Sequence, residues 1–188
     1  MSQNVIFESF GVPFIFFERP QWDKFPGALF TYAADSMMPD GRVLQLPSTH
    51  LLGQNFAKPF DVKYLDETGK SEYCWQTCYG PAISRIYAAI ISVHGDDAGL
   101  VLPYDLAPVQ AVIVPIIKKG SEEAVAAKAK EVVALLKKEG VRAQADFSEN
   151  TPGFKYNEWE MKGVPFRIEI GGREAESGEL TVARRDSK

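Results

Sequence analysis

Over the first eighty residues, apolar and polar positions alternate in short runs broken by turn residues; beyond them the spacing lengthens to helical periods. The runs LFTYAADSM (29–37) and RVLQLPST (42–49) flank Pro39-Asp40-Gly41. Proline presets one turn dihedral there and glycine accepts a positive φ, so the spacing predicts a β-hairpin. DVKYL (61–65) and SEYCWQTCY (71–79) flank 66–70, which contains Gly69, and predict a second hairpin. Several such strands in succession imply an antiparallel sheet. At Gly80-Pro81 the period changes, and AISRIYAAIISVHG predicts a helix over 81–94. Pro81 belongs in its first turn, where an N–H would be unpaired anyway, and Gly95 closes it.

The stretch 95–109 carries Gly95, Gly99, Pro103 and Pro108 without a clear period, and the domain boundary is placed there, with domains over 1–103 and 104–188. QAVIVPII (110–117) predicts a buried strand and 121–140 a helix. In that helix Ser121 is placed as the cap, and early acids and late lysines suit the helix dipole. Val125, Ala129, Val132, Val133 and Leu136 fall on one face. A strand over 141–147, a short helix over 155–163 and strands over 165–172 and 179–185 complete the series. Strand–helix–strand–helix–strand–strand implies a small α/β domain with a mixed, mostly parallel sheet.

A hydrophobic fraction of 45% supports a packed core and argues against disorder. The net charge of −4 makes the chain a poor general polyanion binder, so any nucleic-acid contact needs a local basic patch. Two cysteines, Cys74 and Cys78, are too few for a disulfide framework and point to a reducing compartment. The N-terminal apolar stretch lacks a basic region and is broken by Gly11 and Pro13. Neither a signal peptide nor a membrane span is expected, and the expected location is the cytoplasm.

Three stretches carry a family resemblance. PSTHLLGQNFAKPFDVKYLD (47–66) resembles the Thr-Ser-His-x-Leu-Gly-Gln-Asn-Phe-type run of prolyl-tRNA synthetases. WQTCYGPAISR followed by IYAAIISVHGDDAGLVLP (75–103) resembles motif 3 of class II synthetases, with the motif proper at 75–94. TPGFKYNEWEMKGVPFRIEIG (151–171) is similar to the family's anticodon-binding domain. In this order and spacing the series is specific, and it covers nearly the whole chain. The resemblance implies an α+β antiparallel-sheet remnant of a class II catalytic domain followed by an α/β anticodon-binding domain. It also implies ATP, Mg²⁺, proline and the proline tRNA as substrates and partners, and a homodimer in the full-length enzyme. The family's motifs 1 and 2 would lie upstream of these residues, so the expectation is a fragment or truncation that does not aminoacylate alone. No four-ligand zinc site is expected in this segment.

The resemblance assigns roles residue by residue. Arg85 is the expected catalytic residue, holding the ATP γ-phosphate with a planar fork suited to phosphate oxygens. Gln45 and Ser48 contact the adenosine part. Phe25, His50, Cys78 and Gly80 form the proline pocket, in which a compact apolar ring is recognised by shape and apolar contact. Family members more often have serine at the Cys78 position, and Pro81 and Ala82 stand where leucine and glycine or threonine are usual. Glu160, Arg167 and Arg173 are expected to read the two guanines of a proline anticodon, with Lys155 and Lys162 on backbone phosphates. A carboxylate accepts from guanine N1–H and N2–H, and arginine donates to O6 and N7.

Each residue also has a plainer reading outside that pattern. Arg85 is a surface helix arginine, Gln45 a solvent-facing strand residue, His50 a satisfied structural histidine and Phe25 a core aromatic. The charges near 160–173 are then a solvated face. Cys74 and Cys78 on one strand would lie about 13 Å apart, too far for shared zinc. His94-Gly95-Asp96-Asp97 reads as a helix end and loop. A rival function of another class is a non-catalytic tRNA-binding module of the same ancestry, and an upstream reading frame with a motif 2 arginine would decide against it. An unrelated nucleotide binder has no Gly-rich phosphate loop to support it. Cysteine, close to proline in size, stays open as a competing amino acid.

Overall fold

The computed structural model describes residues 4–187, which part into two compact units, 4–93 and 94–187. By packing, residues 94–103 go with the second unit. The first unit opens with a π-helical segment, Val5–Ser9, and strand β1, Ile15–Glu18, neither of which was marked by turn chemistry in the sequence. β2 (Phe30–Met37) and β3 (Val43–Gly53) form the first hairpin. Its turn closes where Met38 N–H donates to the Arg42 carbonyl and Gly41 N–H to the Met38 carbonyl, at 2.8 and 2.9 Å. β4 (Lys63–Leu65) and β5 (Ser71–Tyr73) form the second, a separate two-stranded sheet. β6 (Gln76–Gly80) joins the main sheet, whose order is β1-β2-β3-β6, antiparallel throughout.

The run 71–79 is therefore two strands and not one. Cys74 lies between them, its N–H bonded to the Val62 carbonyl, while Cys78 is on β6, so the two thiols do not share a strand. Helix α1, Ile83–His94, begins after Pro81, which sits outside the first turn. Ala82 stands at φ 52, and its carbonyl accepts from the Arg85 and Ile86 N–H groups. Left-handed backbone is natural for glycine and costs an alanine about 1 kcal/mol or more.

β3 is irregular twice. Opposite β2, Ala33 pairs Ser48 and Asp35 pairs Gln45, so two residues of β3, Leu46 and Pro47, face the single Ala34. Opposite β6, Leu51 pairs Thr77 and Gly53 pairs Gln76, which leaves Leu52 as a second extra residue. Pro47 has no N–H for a ladder bond, and a bulge is where a sheet accommodates proline.

The second unit holds β7 (Ala111–Pro115), α2 (Glu122–Lys138), β8 (Ala143–Ala145), α3 (Pro152–Met161), β9 (Phe166–Ile170), α4 (Gly172–Ser177) and β10 (Thr181–Arg184). Its sheet runs β10-β9-β7-β8, with β7 parallel to β8 and β9, and β10 antiparallel to β9. β7 is buried along its whole length and lies between two cores. Ala111 and Ile113 pack with Val125, Ala129 and Val132 of α2; Val112 and Val114 pack with Val164, Tyr156 and Trp159. Burial on both faces explains the unbroken apolar run. Two local expectations fail. Ser121 occupies the cap position but makes no side-chain cap bond; its hydroxyl donates back to the Lys118 carbonyl, and Glu122 accepts from Gly120 N–H instead. The Gly-Gly-Arg stretch opens α4, an added helix between β9 and β10.

Candidate functional site

In the first unit one cavity of about 580 Å³ lies over the β2–β3–β6 face. Its lining includes Phe25, Gln45, Ser48, His50, Gly80 and Arg85, six of the seven residues singled out for ATP and proline. Gln45 and Ser48 are three apart and would point to opposite faces of a regular strand. The bulge at Leu46 and Pro47 inserts the residue that returns both to the cavity. Gly80 pairs Ser48 across β6, where an added Cβ would press on the Ser48 hydroxyl at 3.3 Å.

His50 is buried and held at both ring nitrogens, by Thr31 Oγ1 at Nδ1 (3.0 Å) and Ser48 Oγ at Nε2 (3.1 Å). Thr31 Oγ1 also accepts the Phe25 N–H at 3.0 Å, and the Phe25 ring lies 4.8 Å from the imidazole. Burial lowers the His50 pKa below its ordinary value, so the ring is neutral at pH 7 and offers one donor and one acceptor. Cys78 pairs directly opposite His50 but is exposed and does not line the cavity.

Arg85 projects from the first turn of α1 over the cavity, exposed, with Nη1 donating to the Gln45 carbonyl at 3.3 Å. A second guanidinium, which the motifs did not mark, lies on the same cavity. Arg19 bonds Asp35, Asp23 (3.1 Å) and the Gln45 side-chain oxygen (3.4 Å). Arg19 at the end of a strongly apolar run was the only available signal. The residue fixes the Gln45 amide oxygen as acceptor, leaving its NH₂ as the donor for a ligand.

In the second unit a smaller cavity, about 170 Å³, is lined by Trp159, Glu160, Arg167, Arg184 and Arg185, among others. Glu160 and Arg167 are thus brought together. Arg173 is not; it sits on α4 in a separate depression with Glu174, Glu176 and Glu179. Arg167 is partly committed, its Nε donating to Glu169 at 3.2 Å and its guanidinium stacked 4.1 Å over Tyr156. Burial, with a hydrogen bond to Glu169, pushes the Tyr156 phenol up to about 12, so it stays a donor to that carboxylate. Lys155 is buried, its ammonium donating to the Asp146 carbonyl at 2.9 Å, and it cannot reach a phosphate. Asp146 also accepts from Trp159 Nε1 at 2.7 Å. Burial pushes its carboxyl upward, but bonds from Ser148 and Trp159 and the Lys155 charge outweigh that and hold it below the usual range. Lys162 is half-exposed, paired with Glu158 at 2.6 Å and stacked over Trp159. Asp96 is tied into a short bridge with Gly99, and no group of metal-ligating side chains occurs among the described residues. No helix among them is long and apolar enough to cross a membrane.

Residues 110–188 match a family model described as an anticodon binding domain. Over 187 residues the chain is 58% identical to a proline–tRNA ligase of Thermofilum pendens, covering 98% of this chain and 39% of that protein. Over 180 residues it is 52% identical to the enzyme of that name from Methanopyrus kandleri, covering 96% and 37%. Among solved structures it resembles a prolyl-tRNA synthetase of Cryptosporidium parvum complexed with L-proline and AMP, at 41% identity and a TM-score of 0.89, covering 99% of this chain and 40% of that one. The same protein complexed with halofuginone and AMPPNP matches with the same TM-score at 40% identity, covering 99% of this chain and 38% of that one. The chain thus spans about two fifths of the length of the curated relatives it matches.

Proposed function

Because the chain belongs, over the segment it spans, to the prolyl-tRNA synthetase family, we propose that it serves a proline–tRNA ligase. In this reading residues 1–103 are the C-terminal part of the class II catalytic domain, with motif 3 at 75–94, and residues 104–188 recognise the anticodon. The whole protein, a homodimer in the cytoplasm, would join proline to ATP as prolyl-adenylate and pass the prolyl group to its tRNA. The observation that carries the reading is the convergence of Arg85, Gln45, Ser48, His50 and Phe25 on one cavity.

The chemistry follows from those side chains. A proline carboxylate oxygen attacks the ATP α-phosphorus and pyrophosphate leaves; then the terminal ribose hydroxyl of the tRNA attacks the prolyl carbonyl and AMP leaves. Neither step needs a covalent nucleophile from the chain, so catalysis is positioning and charge stabilisation. Arg85 holds the leaving phosphates. Gln45, oriented by Arg19, and Ser48 meet the adenosine. Phe25 and the face of His50 form the wall for the pyrrolidine ring. With both imidazole nitrogens already hydrogen-bonded, His50 shapes the pocket more than it binds. Mg²⁺ would come with the triphosphate, because the cavity's carboxylates Asp23 and Asp35 are engaged by Arg19. In the second unit Glu160 and Arg167 would read anticodon guanine, with Arg173 a more distant contributor.

Full-length protein carrying Arg85→Ala should lose about 100-fold or more of ATP–pyrophosphate exchange while keeping its tRNA affinity. Exchange at the unmodified rate would overturn the assignment.

A further inference from the structure

The proposed chemistry leaves one sequence motif unused, the His94-Gly95-Asp96-Asp97 run. In the second unit it is fastened to the other end of the chain. The Arg185 fork grips the Asp96 carboxylate, Nη1 to Oδ2 at 2.9 Å and Nη2 to Oδ1 at 2.5 Å. The same guanidinium donates from Nε to the Glu160 carbonyl at 3.1 Å. Its side chain is only 5% exposed, yet it lines the cavity that holds Glu160 and Arg167.

The segment following Asp96 completes the grip. The last carbonyls of a helix have no partners within it. Here Leu100 N–H donates to the Met161 carbonyl at 3.1 Å and Leu102 N–H to the Gly163 carbonyl at 3.4 Å. The approach is close enough that a Cβ on Gly99 would lie 2.6 Å from Met161 Cα, and one on Gly163 2.8 Å from the Leu100 backbone. Only glycine at both positions permits it. Residues 96–102 and Arg185 therefore clasp the end of α3 where Glu160 is carried.

We propose that Asp96 and Arg185 are positioning residues for base recognition, fixing the end of α3 so that the Glu160 carboxylate meets guanine at the right angle. The inference rests on the guanine reading of Glu160 given above. Arg185 acts through backbone geometry; its fork and its Nε are spent within the protein. A carboxylate that accepts from both N1–H and N2–H is sensitive to small rotations, since both bonds must be near-linear.

The test uses full-length protein and two anticodon stem-loop RNAs, one with guanine and one with inosine, which lacks the N2 amino group, at the positions read. The readout is the ratio of the two dissociation constants, with thermal melting and salt dependence beside it. Glu160→Gln should collapse the ratio. Asp96→Asn and Arg185→Lys should each reduce it about fivefold to tenfold, as coupled contacting residues do, without changing the salt slope. Asp96→Glu, which keeps the carboxylate, should retain more of it than Asp96→Asn. An unchanged ratio in Asp96→Asn and Arg185→Lys, with Glu160→Gln effective, leaves the clasp a mere scaffold and overturns the proposal. Equal weakening of both RNAs by Arg185→Lys with a shallower salt slope makes Arg185 a phosphate ligand and also overturns it. An unchanged ratio in Glu160→Gln instead sinks the guanine reading itself. Should Arg185→Lys melt below the assay temperature, Asp96→Asn decides.

Discussion

The two units bury apolar side chains of different size. The second encloses Ile113, Ile170, Val112, Val114 and Val125 completely, on both faces of β7. The buried apolar side chains of the first are mostly alanines, with Leu46 and Val12 the largest fully enclosed. Its large residues line its outside: Trp22 is 86% exposed, Phe60 76% and Trp75 74%. A sheet covered by helices on both sides seals its own core, whereas the β2–β3–β6 face instead surrounds an open cavity. In both units the site rests on the sheet: the smaller cavity of the second is lined by Val112, Val164 and Trp159 of its core, and the floor of the first unit's cavity is the β2–β3–β6 sheet.

The largest expected effects lie in the sealed unit. Ile113→Ala should cost about 4 kcal/mol in urea unfolding, from lost transfer energy and the void left behind. Trp75→Ser in the first unit should change the same midpoint by less than about 0.5 kcal/mol. Equal losses would erase the contrast. Next comes Lys155→Ala, which leaves the buried Asp146 without its cation and should cost about 3 kcal/mol; a neutral result would mean Trp159 and Ser148 suffice. Ala82→Gly should raise the melting midpoint by relieving φ 52, a gain of about 1 kcal/mol before glycine's own entropy cost.

Acid should separate the units by a smaller effect. The folded His50 pKa lies below the unfolded value of about 6.5, so its contribution is complete above that pH and is lost as pH falls toward the folded value. Asp146 is also depressed, from an unfolded value of about 3.9, so its contribution survives until lower pH. Near-ultraviolet circular dichroism should register the change around Phe25 and His50 first. Simultaneous loss of both signals would remove this distinction.

The sequence made the periods legible and left the exceptions hidden. Both hairpin turns, the helix after Gly80 and the apolar face of α2 follow from spacing, because each is a local repeat. Arg85, His50 and Gly80 were marked only through a family pattern, and their meeting at one cavity depends on pairings between strands far apart in sequence. Lys155 illustrates the limit. On a helical wheel it is an ordinary lysine, and only the carbonyl and carboxylate of Asp146, nine residues away, make a buried position tolerable. The Ser121 cap fails for the opposite reason, since the local chemistry was plausible but competing partners redirected it, while an extra helix carries Arg173 to a depression apart from Glu160 and Arg167.

The paired irregularities of β3 have a consequence for how this hairpin can drift through evolution. They cut the strand into separately phased pieces, with Ser48 to Leu51 between two joints. A residue gained or lost near the 38–42 turn can be absorbed at the first joint, and one near Gly53 at the second, without turning His50 to the outer side. Replacing Pro47 by a residue with an N–H would let the first joint close into regular ladder, and the phase of Gln45 against Ser48 would then be the first thing to slip.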